Sequence, residues 1–217
     1  MKRNILLTGF TVLVLACNNP SANHEPAHDA ASHGSHQATA DPGSTRQQNP
    51  VTAAMEKMMR DMHATKNTGN NDIDFAGMMM QHHMGAVEMA RVEVSQGNDA
   101  ALKTFAQKVI DDQNQEITVL QDFITKTSRT VSPDAAAFQK ALMQSMMVMI
   151  NDTTRIYNKV DEDFAAQMIP HHQSAVEMAE TYLQYGEKEG LRKLSQNIVD
   201  SQRKEIAWLK EWIERNN

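Results

Sequence analysis

The chain of 217 residues has one cysteine, 5% aromatic residues, no excess of positive charge and no apolar run long enough to cross a bilayer. Each shortage excludes something. A lone thiol excludes a disulfide framework and every metal site built on several cysteines. Two Trp and three Tyr leave no wide stacking platform for single-stranded nucleic acid. The formal charge of −6 argues the same way, because polyanions are recruited by basic patches. Nucleic acid is therefore not an expected partner. With 41% apolar and 22% charged residues, the chain as a whole is neither a multi-span membrane protein nor disordered. Its length allows one large domain or two small ones. What it has in excess is sixteen Met and nine His, which are soft or borderline metal ligands as well as ordinary residues.

The first residues read as an export signal. Lys2 and Arg3 precede an apolar stretch from Ile5 to Ala16, too short for a membrane span but suited to a signal peptide. It stops at Cys17, and Val14-Leu15-Ala16-Cys17 resembles the bacterial lipoprotein signal, in which the Cys becomes a lipid-bearing N-terminus. The alternative is a plain secretory peptide with an incidental Cys. The expected location is the bacterial cell envelope, with a membrane as partner through the lipid and the chain facing the periplasm. Residues 17–50, after a signal peptide of residues 1–16, are polar and aperiodic, as expected of a disordered tether. Within the tether His24, His28, His33 and His36 form either a loose metal-capturing tract or a polar spacer.

Sliding the remaining sequence on itself gives a match at an offset of 89. Asp74-Phe75-Ala76 aligns with Asp163-Phe164-Ala165, His82-His83 with His171-His172, and Ala86 to Ala90 with Ala175 to Ala179. Eleven of the seventeen residues from 74 to 90 are identical in the second copy. Upstream, Met55, Met58 and Met59 echo Met143, Met146 and Met147 at an offset of 88. The folded part is thus a tandem repeat, 51–128 and 135–217, with Thr127 to Asp134 between the copies.

Each copy reads as a Met-rich helix, a His-His helix and a heptad helix. Leu102, Ala106, Val109, Gln113, Glu116, Leu120 and Phe123 form one seam, and Leu191, Ser195, Ile198, Gln202, Glu205, Leu209 and Trp212 the other. Turn residues at Gly97-Asn98 and at Gly186 make the last two helices of each copy an antiparallel hairpin. Two hairpins give an all-α four-helix bundle, with Met-rich helices over about 52–66 and 135–157 packed outside it.

The chemistry lies where polar residues occupy core positions. Gln113, Glu116, Gln202 and Glu205 fall on the seams, where an unpaired carboxylate is costly, so they need partners inside the bundle. On the facing helix one face carries Phe75, Met79, His82, Ala86 and Met89, with Met78 beside it and His83 at its edge. The second copy repeats this with Phe164, Met168, His171, Ala175 and Met178, and His172 at the edge. Imidazole with thioether makes a soft site suited to copper, Cu(I) especially, with the seam carboxylates orienting the rings. The competing reading makes His82 and His171 satisfied core histidines, bonded to Glu116 and Glu205 or across the pseudo-twofold axis, with Met as adaptable filler. Met55, Met58, Met59, Met62 and His63 form a further stripe on one helix face, which reads either as core packing or as additional ligands.

The pattern from Asp163 to Ala179, followed by Gln202-Glu205-Ile206, and again from Asp74 to Ala90 with Gln113-Glu116-Ile117, resembles the domain-of-unknown-function 305 family. The resemblance covers about residues 50–217. It implies a ferritin-like helical bundle in exported bacterial proteins, some of which bind copper and support copper tolerance. The first copy has Met80-Gln81 where Ile169-Pro170 stand in the second, and Pro170 should kink its helix.

A ferritin-like redox enzyme would need Glu-x2-His on two helices, and none occurs in the folded part. His-Glu-x2-His is absent as well, so no enzyme is expected. The remaining alternative is a structural or partner-binding lipoprotein whose histidine layer only specifies packing. Pairing into a homo-oligomer is left open.

Overall fold

A computed structural model of the chain describes residues 49–150 and 154–216, which form helices and, among the described residues, no strand. The expected signal peptide, Cys17, and His24, His28, His33 and His36 of the expected tether lie outside the described residues. No described helix is long and apolar enough to cross a membrane.

Every long helix in the first repeat starts on a side-chain cap. Helix α1 (Pro50–Ala64) has Asn49 accepting from the Val51 amide at 2.9 Å and proline at its first position. Helix α2 (Asn71–Gln96) is capped by Asn70, which accepts from Ile73 N at 2.9 Å, and carries Asp72 and Asp74 in its first turn, where the helix dipole favours negative charge. Helix α3 (Ala100–Lys126) is capped by Asp99, which accepts from Leu102 N at 2.7 Å. The second repeat supplies α4 (Ala135–Ser145), α5 (Met147–Ile150), α6 (Val160–Tyr185) and α7 (Glu189–Asn216). Helix α6 continues through Pro170 without a break.

Tight turns at 97–99 and 186–188 fold α2 on α3 and α6 on α7. The hairpins join through α2 and α6, and α1 and α4 each touch both of those central helices. Helices α3 and α7 face each other across a cleft. It is bridged by the Phe105 ring stacked on Trp208, with centroids 4.6 Å apart, and by Lys108 Nζ reaching Glu205 Oε1 at 3.0 Å.

The second Met-rich helix is shorter than the sequence pattern predicts. It breaks at Met146 and ends at Ile150 instead of running to about 157. The Ser145 hydroxyl donates back to the Leu142 carbonyl at 2.7 Å, an alternative to the helical ladder that favours a break there.

Candidate metal centre

The centre is built where α2 and α6 cross. His82 and His171 meet ring to ring, with centroids 3.8 Å apart, and the His171 Nε2–H donates to the His82 carbonyl at 3.1 Å. That bond fixes the His171 proton on Nε2 and leaves Nδ1 as a lone pair. His171 Nδ1 and both ring nitrogens of His82 are buried without a hydrogen-bond partner among the described residues. Burial holds both groups well below the usual histidine range, and the neighbouring histidines push the same way. Both rings are therefore neutral at neutral pH, and each offers a nitrogen without first losing a proton.

His83 and His172 are the neighbouring pair, and the sequence reading placed them at the edge of the helix face. They are instead fully buried. The reason is that α2 and α6 are central helices, covered on several sides, so the wheel has no solvent edge at this level. It is these two rings that meet the seam carboxylates. His83 Nε2 lies 2.8 Å from Glu116 Oε2, and His172 Nε2 lies 3.1 Å from Glu205 Oε2. Both contacts are at hydrogen-bond distance but off the line of a well-directed ring N–H bond. Of the two arrangements open for His82 and His171, the contact across the pseudo-twofold axis is the one formed.

The two carboxylates are not equivalent. Burial alone would push Glu205 up, but the His172 ring and the Lys108 ammonium more than offset it and leave it below the usual range. Lys108 also binds Asp112 Oδ2 at 2.5 Å, whereas its counterpart in the second repeat is Asn197. A cavity of about 340 Å³ between α3 and α7 is lined by Gln113, Glu116, Gln202 and Glu205, so it opens onto the carboxylates that contact the buried rings. Among the described residues, both amide atoms of Gln113, the carbonyl oxygen of Gln202 and the Ser174 and Ser195 hydroxyls have no hydrogen-bond partner.

The methionines sort into two apolar clusters on either side of this layer. Met79 and Met178 belong to one, with Met58 and Met62, and Met89 and Met168 belong to the other. All four of Met79, Met89, Met168 and Met178 are fully buried. Met79 and Met168 stand about one helical turn before the histidines of their own helix, whereas Met89 and Met178 stand about two turns beyond, roughly 10 Å along the axis. In the outer stripe Met58 and Met62 are buried, Met55 and Met59 are half-buried, and His63 is exposed and does not join the sulfurs. Among the described residues no three His, Cys, Asp or Glu side chains converge as a ready-made ligand set. A metal drawn to this layer has to enlist the thioethers.

The duplicated sequence and this duplicated layer coincide with one known family. Its description is "domain of unknown function", number 305, and it matches residues 24–124 and again 72–213. The chain belongs to this family. Among solved structures it is similar to CopM in the Cu(I)-bound form, at 30% identity over 66% of this chain and 96% of that one, with a TM-score of 0.51. CopM in the Cu(II)-bound form matches at 29% identity, 67% and 97% coverage and a TM-score of 0.52. An Ag-bound form obtained by soaking matches at 31% identity, 66% and 95% coverage and a TM-score of 0.51. No curated protein matches.

The family's Asp-Phe motif has a role that sequence reasoning missed. Asp74 Oδ1 accepts from the Thr68 amide and hydroxyl, both at 2.7 Å, and its Oδ2 from Gly69 N at 3.1 Å. Asp163 does the same with Tyr157 N at 2.7 Å and Lys159 N at 3.0 Å. Gly69 and Asn158, the equivalent positions, both take positive φ, 76° and 59°. The motif aspartates lock the entry loops of the two histidine helices.

Proposed function

We propose that the protein binds copper, Cu(I) in preference, at the histidine layer, and sequesters it in the bacterial cell envelope, where lipid on Cys17 tethers the chain to a membrane. It binds without catalysing a reaction. The observation that carries this reading is four fully buried imidazoles with unpartnered ring nitrogens, each helix adding a buried thioether one turn away. Met79, His82 and His83 form one candidate ligand group, and Met168, His171 and His172 the other. Glu116 and Glu205 orient the outer rings and, with Gln113 and Gln202, line the cleft through which a cation reaches them. Met89 and Met178 lie too far along their helices to share a ligand shell with the rings and supply soft walls. The exposed His63 is set aside as a ligand. The copper- and silver-bound forms of CopM support the choice of metal.

The test is a Cu(I) competition titration, under reductant, of the protein begun after Cys17. The Met79→Leu/Met168→Leu double variant conserves volume, so it should cost less than about 1.5 kcal/mol of apo stability. It should weaken Cu(I) binding at least about tenfold, or roughly 1.4 kcal/mol. If copper binds no better than to an isolated peptide of residues 18–48, or if the double variant leaves affinity unchanged, the bundle is a packed structural module.

A further inference from the structure

The repeats meet not only at the histidines but at both ends of the α2–α6 pair, and the two ends differ in chemistry. At one end Tyr182, fully buried on the last turn of α6, donates its hydroxyl to Asp72 Oδ1 at 2.5 Å. Asp72 also accepts from the Glu187 amide at 3.4 Å. An offset of 89 maps Tyr182 onto Glu93 and Asp72 onto Asp161. At this second end the Glu93 and Asp161 carboxyl groups lie within hydrogen-bond reach of each other. Asp161 accepts from the Asn98 and Asp99 amides at 2.8 and 3.0 Å, as Asp72 does from Glu187.

The helix ends are shaped alike to permit this. A Cβ on Gly186 would stand 2.2 Å from the Tyr182 ring, and one on Gly97 would stand 2.1 Å from Glu93 Oε1. Both glycines have ordinary negative φ, so room for the folded-back side chain is what they supply. In the second repeat that side chain is a hydroxyl donor. In the first it is a carboxyl that is fully buried and has no donor among the described residues for either oxygen. Two ionised carboxylates cannot share such a contact, and Asp161, holding two backbone amides, is the one suited to the charge.

We propose that Glu93 and Asp161 form an acid–carboxylate pair that shares one proton and latches the second repeat to the first, closed in acidic and neutral solution and released in alkali. The Glu93 hydroxyl then plays the part that the Tyr182 hydroxyl plays at the other end. Burial, reinforced by Asp161, pushes Glu93 up to about 8. Burial also pushes Asp161 up, but the Asp99 and Asn98 amides more than offset it and hold it below the usual range. The other charged groups facing the pair come from the start of α3: Asp99 opposes ionisation of Glu93, and Lys103, with Nζ 3.2 Å from the Gly97 carbonyl, favours it. Since Glu93 lies above its unfolded value of 4.5, its contribution to stability is full below about pH 4.5 and lost as pH rises through about 8. On release the proton passes to hydroxide and no other bond is made or broken. The latch does not depend on the copper reading.

The experiment is an infrared pH titration of the purified protein beside Glu93→Gln, whose amide can donate to Asp161 at every pH. The unaltered protein should show a protonated-carboxyl stretch at pH 7 that vanishes with a midpoint near 8, and the variant should lack it. In thermal unfolding the Tm of the unaltered protein should fall by roughly 5–10 °C between pH 6 and pH 9, and Glu93→Gln should lose most of that fall. No protonated carboxyl at pH 7, the same band in the variant, or an equal fall in Tm would overturn the latch. Should Glu93→Gln fail to fold, the titration of the unaltered protein alone decides.

Discussion

Asp163 illustrates how much one buried side chain can hold. It is fully buried, and its two oxygens take the Tyr157 and Lys159 amides and the Asn49 side-chain amide at 2.7, 3.0 and 2.5 Å. It thereby fixes both the loop into α6 and the residue that caps α1. Asp163→Ala leaves buried donors without an acceptor, so we expect a loss of about 2–3 kcal/mol in urea unfolding with little change in m. Asp163→Asn keeps one acceptor and should lose less. At this scale the sequence announced that Asp74 and Asp163 matter, because they repeat in register, but not how. The partners they have in common are main-chain amides four to six residues upstream, which no side-chain pattern reports. The pairing of His83 and His172 with Glu116 and Glu205 escaped for another reason, since a helical wheel assigns an edge to a helix that is covered on several sides.

At the scale of elements, the difference between the repeats is concentrated in how α1 and the α4–α5 pair lie on the histidine helices. Met58 is pressed against α2 at Gly85, where an added Cβ would stand 2.4 Å from its Sδ and Cγ and 2.6 Å from its Cβ. The near atoms include the root of the side chain, so α1 itself has to retreat. Gly85→Ala should therefore destabilise the protein by about 1–3 kcal/mol and loosen α1, read as faster amide exchange over residues 50–64 than over α3. The equivalent residue in the second repeat is Ser174, which leaves no such slot. The duplicated all-α hairpins were legible from the offset alone, because helix period and turn glycines recur together. The break at Met146 was not, because a Met-rich sequence has good helix propensity and nothing in the methionine spacing marks the interruption beside Ser145.

Over the whole molecule, the buried histidines and Glu93 set opposite limbs of one stability curve. His82 and His171 lie well below their ordinary value of 6.5, so the unfolded chain binds up to two more protons than the native one as pH falls below about 6.5. Stability from these two is present above that value and is lost on acidification. Glu93, raised to about 8 from 4.5, acts with the opposite sign across 4.5 to 8. On the acid side the two histidines act against it, and apo stability should rise as pH climbs toward about 6.5. Between about 6.5 and 8 the glutamate remains, and stability should fall. The apo protein should thus show a maximum Tm near pH 6.5, checked by thermal scans across pH 4.5 to 9 in a metal-free buffer. Saturating Cu(I) that engages His82 and His171 binds only the native state, whose two rings carry no proton for it to displace, and should lift both limbs alike. Glu93→Gln should flatten the alkaline limb and steepen the acid one, where it no longer opposes the histidines. A curve that rises steadily to pH 9 would show that the two repeats are held together without a shared proton.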